Sequence, residues 1–288
     1  MRQVIMSPTI AIIAPGNMGA GVGQRLTEHK ATVLTSLAGR GAASAQRARE
    51  AGMAGVDERA LMEADFLLSI VPPGEALALA KRLAPLLAAA NRKPTYVDCN
   101  AVSPDTMSAI GNVVAATGAP FVAAGIIGPP PKPGSTNTKI YASGPHTAGL
   151  AVLNDYGLIV RVLDGPLTAA SALKMSYAGI TKGFTALGAA MLLAASRGGS
   201  AEALKAELAD SQPALNQWLG RQMPAMYGKA YRWVAELDEI AAFVGGDREE
   251  AAMLSAAARL YERIAADYEG DKQEIALLDE FLKAAAKP

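Results

Sequence analysis

The chain has 288 residues, of which 51% are hydrophobic, and its 27 basic residues balance its 27 acidic residues. Length and apolar content predict a packed globular core in one large domain or two. The zero net charge argues against nucleic acid or an anionic membrane as the partner, so we expect a small-molecule substrate.

Cysteine and histidine are too scarce for disulfides or zinc. Cys99 is the only cysteine, and His29 and His146 are the only histidines, so we expect no metal. The N-terminus has no apolar segment of signal-peptide length, and the most apolar run, residues 183–195, is shorter than the ~20 residues that span a bilayer. The sequence therefore predicts a cytoplasmic protein with no membrane partner.

Short β-rich runs alternate with Ala-rich helical patterns through residues 1–165. In chain order, the runs are TIAIIA, ATVLTS, DFLLSIV, TYVDC, FVAAGII, KIYASG and GLIVRVL. This alternation is typical of βαβ units, in which helices join parallel strands. It predicts an α/β fold whose N-terminal domain, residues 1–165, is a doubly wound sheet of the Rossmann type.

After the tetrapeptide LDGP the sequence carries only helical patterns, which predicts an all-α domain over residues 166–288. Pro166 suits the first turn of a helix, because its missing N–H costs nothing there, so we expect one long helix to begin at this residue. The later run FTALGAAMLL is apolar almost all round, which indicates burial between helices. We expect a homodimer formed through this helical domain, which would also contribute to substrate binding.

A glycine-rich stretch, APGNMGAG, joins the first strand to the first helix. Gly16 and Gly19 occupy the second and third positions of the dinucleotide fingerprint, and Ala14 occupies the first. The second glycine lets backbone approach a pyrophosphate, the third lets helix pack on strand, and the helix N-terminus supplies N–H groups. A tight turn without ligand is the alternative. The predicted cofactor residues in this turn are Pro15, Gly16, Asn17, Met18 and Gly19.

The residues after the second strand favour NADP(H) over NAD. No acidic residue for the ribose 2′-hydroxyl occurs over residues 31–49, whereas Arg40 follows the strand, with Ser36 and Ser44 near it. Arginine binds phosphate bidentately, so we predict that Ser36 and Arg40 bind the 2′-phosphate. An ordinary solvated arginine is the alternative.

A further stretch, SIVPPGEAL, ends another predicted strand. Val71, Pro72 and Pro73 would form a stiff apolar wall at the carboxyl edge of the sheet, where cofactors lie in this fold. We predict that they line the cofactor, and a plain strand-ending turn is the alternative.

Two lysines, Lys174 and Lys182, lie in the otherwise apolar stretch SALKMSYAGITKGFTALGAAMLL. An unpaired ammonium is costly to bury, so a lysine on an apolar face either reaches water or is held for chemistry. At helical spacing, the face that carries Lys174 also carries Tyr177, Ala178 and Thr181.

Four landmarks occur in order along the chain: GNMG at 16–19, DCNAVSP at 98–104, FVAAGIIGPP at 121–130 and the helix around Lys174. With them the sequence resembles the β-hydroxyacid dehydrogenase family, which includes 3-hydroxyisobutyrate dehydrogenase and the cofactor domain of 6-phosphogluconate dehydrogenase. The resemblance spans the whole chain and is nearest to a bacterial branch with a distinct helical C-terminal domain.

This resemblance implies roles for particular residues. Lys174 would be the general acid/base that exchanges the hydroxyl proton while hydride passes to or from the nicotinamide, with a pKa lowered by the cationic ring. Asn100 would contact cofactor as well as substrate. The residues implied in substrate binding are Asn100, Ser103, Gly125, Ile126, Ile127, Gly128 and Tyr177.

The chain departs from the family pattern only where substrate is recognised. Asn100 and Ala101 replace the serine and threonine of the family's Asp-x-Ser-Thr, and Ala123 replaces an aspartate. Tyr177 and Ala178 replace two asparagines that follow the lysine. The resemblance therefore leaves the substrate open.

The leading hypothesis is an NADP(H)-dependent oxidoreductase acting on a small hydroxy acid or related carbonyl compound. An imine reductase shares the fold but typically has Asp or Tyr in place of the lysine, and a non-catalytic NADPH-binding protein is a third possibility. Ser171 and Lys174 also form the S-x-x-K of penicillin-binding proteins, yet the companion motifs Ser-Asp-Asn and Lys-Thr-Gly do not occur.

Overall fold

One sheet dominates the N-terminal half of the computed structural model, which describes residues 7–283. Its strands are β1 (Thr9–Ile13), β2 (Thr32–Ser36), β3 (Ala54–Val56), β4 (Phe66–Ser69), β5 (Thr95–Asp98), β6 (Phe121–Ile127), β7 (Lys139–Ser143) and β8 (Val160–Val162). Their order across the sheet is β3-β2-β1-β4-β5-β6-β7-β8. The chain thus starts in the middle, runs outward to β3 and returns to β4. The resulting switch point between β1 and β4 is where doubly wound sheets bind ligands.

Helices cover both faces of this sheet. They are α1 (Asn17–Glu28), α2 (Ala42–Glu50), α3 (Ala76–Ala89) and α4 (Pro104–Ala115). Ile10 and Ile12 of β1 share a hydrophobic cluster with α1 and α2, whereas Ala11 and Ile13 share another with α3 and α4. Because successive strand residues point to opposite faces, β1 is buried on both sides, which explains its unbroken apolar sequence.

The sheet differs from the sequence prediction in two places. β6 and β7 are antiparallel, with Gly125 opposite Tyr141, whereas the other pairs are parallel as predicted. The connection between them, residues 128–138, is a proline-rich loop that packs on α1, where a Cβ on Gly21 would lie 3.1 Å from Pro131. No crossover helix is present there, so the strand can return antiparallel. Strand β3 was also not predicted, because its three residues, Ala-Gly-Val, form no apolar run.

Beyond β8 the described chain is helical. The helices are α5 (Ala169–Arg197), α6 (Ala201–Ser211), α7 (Pro213–Tyr227), α8 (Ala230–Phe243), α9 (Glu249–Glu269) and α10 (Gln273–Leu282). The predicted α/β fold followed by a helical C-terminal region is thereby confirmed. Pro166 does not begin the long helix as predicted. It precedes α5 by one turn, and its carbonyl accepts a hydrogen bond from the Ala169 N–H at 3.0 Å.

The chain divides into two compact units, residues 1–175 and 176–288. The division lies inside α5, later than the 165/166 boundary expected from composition, because the first turns of α5 pack on the sheet. In the second unit, Leu237 and Ile240 of α8 and Tyr261 of α9 are buried. This unit therefore has a hydrophobic core of its own.

Helix α5 is the one described helix whose length and composition would allow it to cross a membrane. It is longer than the apolar run at residues 183–195 from which the sequence analysis excluded a membrane span. Length and composition do not separate a membrane span from a core helix, and 39% of the relevant window is buried within this protein.

Candidate active site

The turn between β1 and α1 leaves free space next to Gly16, whereas the backbone packs tightly at Gly19. A Cβ on Gly16 would meet nothing within 4 Å, so a ligand can approach the backbone closely there. A Cβ on Gly19 would overlap the carbonyl oxygen of Ala14, so only glycine lets α1 pack this tightly on the strand end. α1 begins at Asn17 without a side-chain cap. Its first N–H groups therefore suit an anionic ligand.

Two neighbours shape this turn from the protein side. Ala14, at the first fingerprint position, has φ 67°, a left-handed conformation that costs roughly 1–2 kcal/mol for a residue other than glycine. Arg47 of α2 donates from Nε to the carbonyl oxygen of Pro15 at 3.1 Å and from Nη2 to Ser44 Oγ at 3.0 Å. Arg47 was not among the predicted site residues, because its only sequence signal is its place on the helix that follows Arg40.

The end of β2 carries no carboxylate. Ser36 is the last residue of β2 and is buried, and its Oγ accepts a hydrogen bond from the Ala38 N–H at 3.4 Å. Arg40 lies beyond it, exposed at the surface. No acidic residue occurs over residues 31–49, so the charged side chains of this segment are cationic. Met18 of the glycine-rich turn is half-buried against the first hydrophobic cluster.

Asn100 joins the carboxyl ends of β4 and β5. Its Oδ1 accepts a hydrogen bond from the Val71 N–H at 2.7 Å, and its Nδ2 donates to Ser69 Oγ at 2.8 Å and to Asp98 Oδ1 at 2.9 Å. The residue is only 2% exposed. Both amide hydrogens and the amide oxygen therefore have protein partners, and the side chain links the ends of β4 and β5. Its contacts to cofactor and substrate stay a prediction.

Asp98, the last residue of β5, is fully buried next to Asn100. Its Oδ1 accepts hydrogen bonds from the Asn100 backbone and side chain, while its buried Oδ2 has no hydrogen-bond partner among the described residues. Burial raises the pKa of Asp98 to about 7, although the hydrogen bonds from Asn100 oppose the shift. Burial and the nearby Asp98 raise the pKa of Tyr96 as well. The site thus holds a carboxyl group that titrates near neutrality.

The predicted acid/base, Lys174, lies on α5 against the backbone of β6. It is half-buried, and a Cβ on Gly125 would lie 2.9 Å from Lys174 Cβ and 3.1 Å from the carbonyl oxygen of Ala170. The structure therefore brings Lys174 together with one of the predicted substrate residues, within the first unit.

The other residues of the GIIG segment have structural roles. Ile126 is buried in the first hydrophobic cluster, and Gly125, Ile126 and Ile127 all pair with β7. Gly128 has φ 123°, and a Cβ there would overlap the carbonyl oxygen of Asn137. The glycine at 128 is thus required by the loop, and the backbone before it belongs to the sheet.

The remaining predicted residues are spread over the chain. Ser103 is buried and caps α4, where its Oγ accepts a hydrogen bond from the Thr106 N–H at 3.3 Å. Tyr177 is 49% exposed and lies in the second unit. After β4, Pro72 is exposed and Pro73 is half-buried.

Lys182, the second lysine of the apolar stretch, is 7% exposed and ion-paired. Its Nζ lies 2.7 Å from Glu236 Oε2 of α8 and 5.4 Å from the centre of the Trp233 ring. The Tyr261 hydroxyl donates to the Lys182 carbonyl oxygen at 2.6 Å. These contacts compensate the buried charge, as a structural lysine requires.

Comparison with known families identifies a dinucleotide-binding domain in the first half of the chain. The NAD-binding domain of 6-phosphogluconate dehydrogenase matches residues 9–152, half of the chain. A domain of unknown function matches residues 195–264. No curated protein matches the chain.

Solved structures of similar fold cover nearly the whole chain. A conserved protein of unknown function, described as similar in structure to 3-hydroxyacid dehydrogenases, is 25% identical with a TM-score of 0.70, over 94% of this chain and 99% of that one. Mycobacterium tuberculosis 3-hydroxyisobutyrate dehydrogenase with L-serine is 19% identical, with a TM-score of 0.67, over 97% and 100%. An imine reductase from Myxococcus stipitatus with NADP⁺ is 18% identical, with a TM-score of 0.59, over 96% and 100%.

Proposed function

Because the chain belongs to the family that carries the NAD-binding domain of 6-phosphogluconate dehydrogenase, we propose that it is an NADP(H)-dependent oxidoreductase acting on a small hydroxy acid or related carbonyl compound. The observation that carries this proposal is the position of Lys174 against Gly125, in the same unit as the open glycine-rich turn. Residues 1–165 would bind the cofactor, and residues 166–288 would supply substrate and dimer contacts.

The glycine-rich turn fits a dinucleotide. The open space at Gly16 admits a pyrophosphate against the backbone, and the uncapped start of α1 offers N–H groups and the positive end of a helix dipole. Val71, held by Asn100 at the end of β4, would line the same edge of the sheet. When bound, the nicotinamide supplies or accepts the hydride.

Lys174 would hold and move the proton of this reaction. In reduction its ammonium donates a hydrogen bond to the substrate carbonyl oxygen and then transfers the proton to that oxygen, which yields the hydroxyl group. In oxidation the neutral amine takes the hydroxyl proton. A half-buried position serves both steps, because partial removal from water strengthens the hydrogen bond to the substrate oxygen.

A panel assay of nicotinamide absorbance tests this function. NADP⁺ would be offered with 3-hydroxy acids and aldonates, and NADPH with aldehydes, keto acids and cyclic imines, each with the native chain and Lys174→Ala. Turnover of a hydroxy or carbonyl compound that collapses in the variant supports the dehydrogenase. Turnover of imines alone would favour an imine reductase, to which the structural likeness also extends. Cofactor binding without any turnover would indicate a non-catalytic NADPH-binding protein.

The NADP(H) preference rests on the cationic segment after β2. Arg40 is exposed at the carboxyl end of that strand with no carboxylate in the segment to repel a 2′-phosphate. We expect Arg40→Ala to weaken NADPH binding by about tenfold or more, the loss of one charge-assisted pair, and NADH binding far less. Equal losses for the two cofactors in a fluorescence titration would refute the preference.

The exposed face of α5 supports a homodimer. Five large apolar side chains, each 49–61% exposed, recur on it at alternating spacings of three and four residues: Tyr177, Ile180, Phe184, Leu187 and Met191. This is the spacing of helices that pair along a seam, and a second copy presents the same seam. The opposite face of α5 carries Lys182, which is buried and ion-paired with Glu236 of α8.

Light scattering on the purified protein tests the dimer. Leu187→Glu should convert a dimer to a monomer. Met253→Glu, which places the same charge at an exposed apolar residue of α9, should leave it dimeric. A monomeric native protein would refute the proposal, and co-flotation of the native chain with lipid vesicles would assign the face to a membrane. We place the enzyme in the cytoplasm, which its single buried thiol, Cys99, supports.

A further inference from the structure

Gly125 of β6 has no Cβ, and this lets α5 approach the sheet closely. A Cβ on Gly125 would lie 2.9 Å from Lys174 Cβ, closer than real Cβ atoms come to other heavy atoms, and 3.1 Å from the carbonyl oxygen of Ala170. Neither neighbour is the far end of a flexible side chain. One is a backbone atom, and the other is bonded directly to the helix backbone.

The start of α5 is also tied in place from two other directions. Ser143 of β7 donates from Oγ to the Leu167 carbonyl oxygen at 2.6 Å and accepts from the Ala170 N–H at 2.9 Å. Ser171 Oγ donates to the carbonyl oxygen of Val102, in the segment after β5. Both serines are fully buried, so releasing either bond would strand a polar group away from water.

These contacts fix the start of α5, so a larger residue at position 125 must be accommodated by a local shift of the helix at Lys174. Ordinary carbon contacts need roughly 3.5–4 Å, so an alanine would displace the Lys174 stem by about 0.5–1 Å. Misplacing a catalytic group by this much can cost on the order of a hundredfold in rate.

We infer that Gly125 is a positioning residue for Lys174, assisted by Ser171, rather than a substrate ligand through its backbone. The inference rests on the proposed function of Lys174. The two roles of Gly125 make opposite predictions, because Gly125→Ala keeps the backbone N–H and C=O groups that a ligand role needs and removes only the space that a positioning role needs.

The experiment compares Gly125→Ala and Ser171→Ala with a matched control, Gly183→Ala, which adds a methyl group to the same helix where a Cβ meets nothing within 4 Å. With the best substrate from the panel, we expect kcat to fall about tenfold to a hundredfold in Gly125→Ala and about threefold to tenfold in Ser171→Ala. KM and NADPH affinity should stay within about twofold of the native values, because neither variant alters a binding group. The control should match the native enzyme.

A folded Gly125→Ala enzyme with native kcat would overturn the inference, as would a rise in KM alone. If Gly125→Ala does not fold, a native kcat in Ser171→Ala would overturn the inference instead. A crystal structure of Gly125→Ala gives a readout without activity: Lys174 Cα should move from β6 by about 0.5 Å or more, and an unmoved lysine would refute the inference. Native turnover in Lys174→Ala would instead refute the proposed function and leave the displacement measurement valid.

Discussion

Lys174 and Lys182 lie eight residues apart on one helix, but they differ in burial and in the groups that their side chains contact. Lys182 is buried beside Glu236 and the face of Trp233, so its charge is compensated by groups of its own unit. Lys174 is half-buried, and its stem packs on a glycine at the edge of the parallel strands. One apolar helix thus carries two lysines in different settings, one in a buried ion pair and one half-buried against the sheet.

Removing each ammonium in turn tests whether the two lysines have different roles. Lys174→Met should reduce turnover about a hundredfold to ten-thousandfold, the contribution of a general acid/base, with the melting temperature little changed. Lys182→Met should leave turnover per folded molecule near native. Kinetics on the two purified variants, corrected for the folded fraction by thermal melts, decide the matter. The comparison fails if both lysines affect turnover equally.

Lys182→Met should act on stability instead. Removing one partner of a mostly buried ion pair leaves the Glu236 carboxylate without its lysine, and we expect a loss of about 3–4 kcal/mol in unfolding free energy. Glu236→Gln in the Lys182→Met background should recover part of that loss, because it removes the charge. Urea unfolding of the two single variants and the double variant measures the coupling, and strictly additive losses would show that the pair is not coupled.

Asp98 extends the comparison to a buried carboxyl group whose hydrogen-bond donors are the backbone and side-chain amides of Asn100. Its pKa is raised from 3.8 to about 7 in the folded protein, so between these values the folded state holds a proton that the unfolded state has lost. Stability should therefore fall by up to about 4 kcal/mol as pH rises through this window and level off above it. Asp98→Asn should remove this fall, and unfolding of both proteins at pH 4, 6 and 8 tests it. Parallel pH profiles would refute the assignment.

Ala14 gives the smallest expected effect and tests strain at the glycine-rich turn. Its φ of 67° favours glycine, and relief of the strain outweighs the greater flexibility of an unfolded glycine. Ala14→Gly should stabilise the protein by about 0.5–1 kcal/mol. Differential scanning calorimetry of the variant measures the gain, and a loss of stability would mean that the turn relaxes around alanine without strain.

Much of the fold and the cofactor turn follows from local patterns in the sequence. Apolar runs locate β1, β4 and β6, because a strand covered on both faces is mostly apolar. The strand-turn-helix arrangement around Gly16 is also local, so the motif alone indicates where the backbone opens. The direction of β7 is not local. The prolines of residues 128–138 exclude a crossover helix, but whether the loop folds straight back or crosses the sheet depends on its packing on α1.

Local sequence patterns were enough to locate the alternating strands and helices, the glycines of the dinucleotide turn, the segment without acidic residues after β2 and the two lysines of the apolar helix. Only the tertiary structure decided which polar groups face inward. Asn100 links the ends of β4 and β5 by hydrogen bonds, and Gly125 packs against the Lys174 stem. The physical reason is that hydrogen bonds and close approaches join residues far apart in the chain. No local pattern records which strand end lies next to which helix.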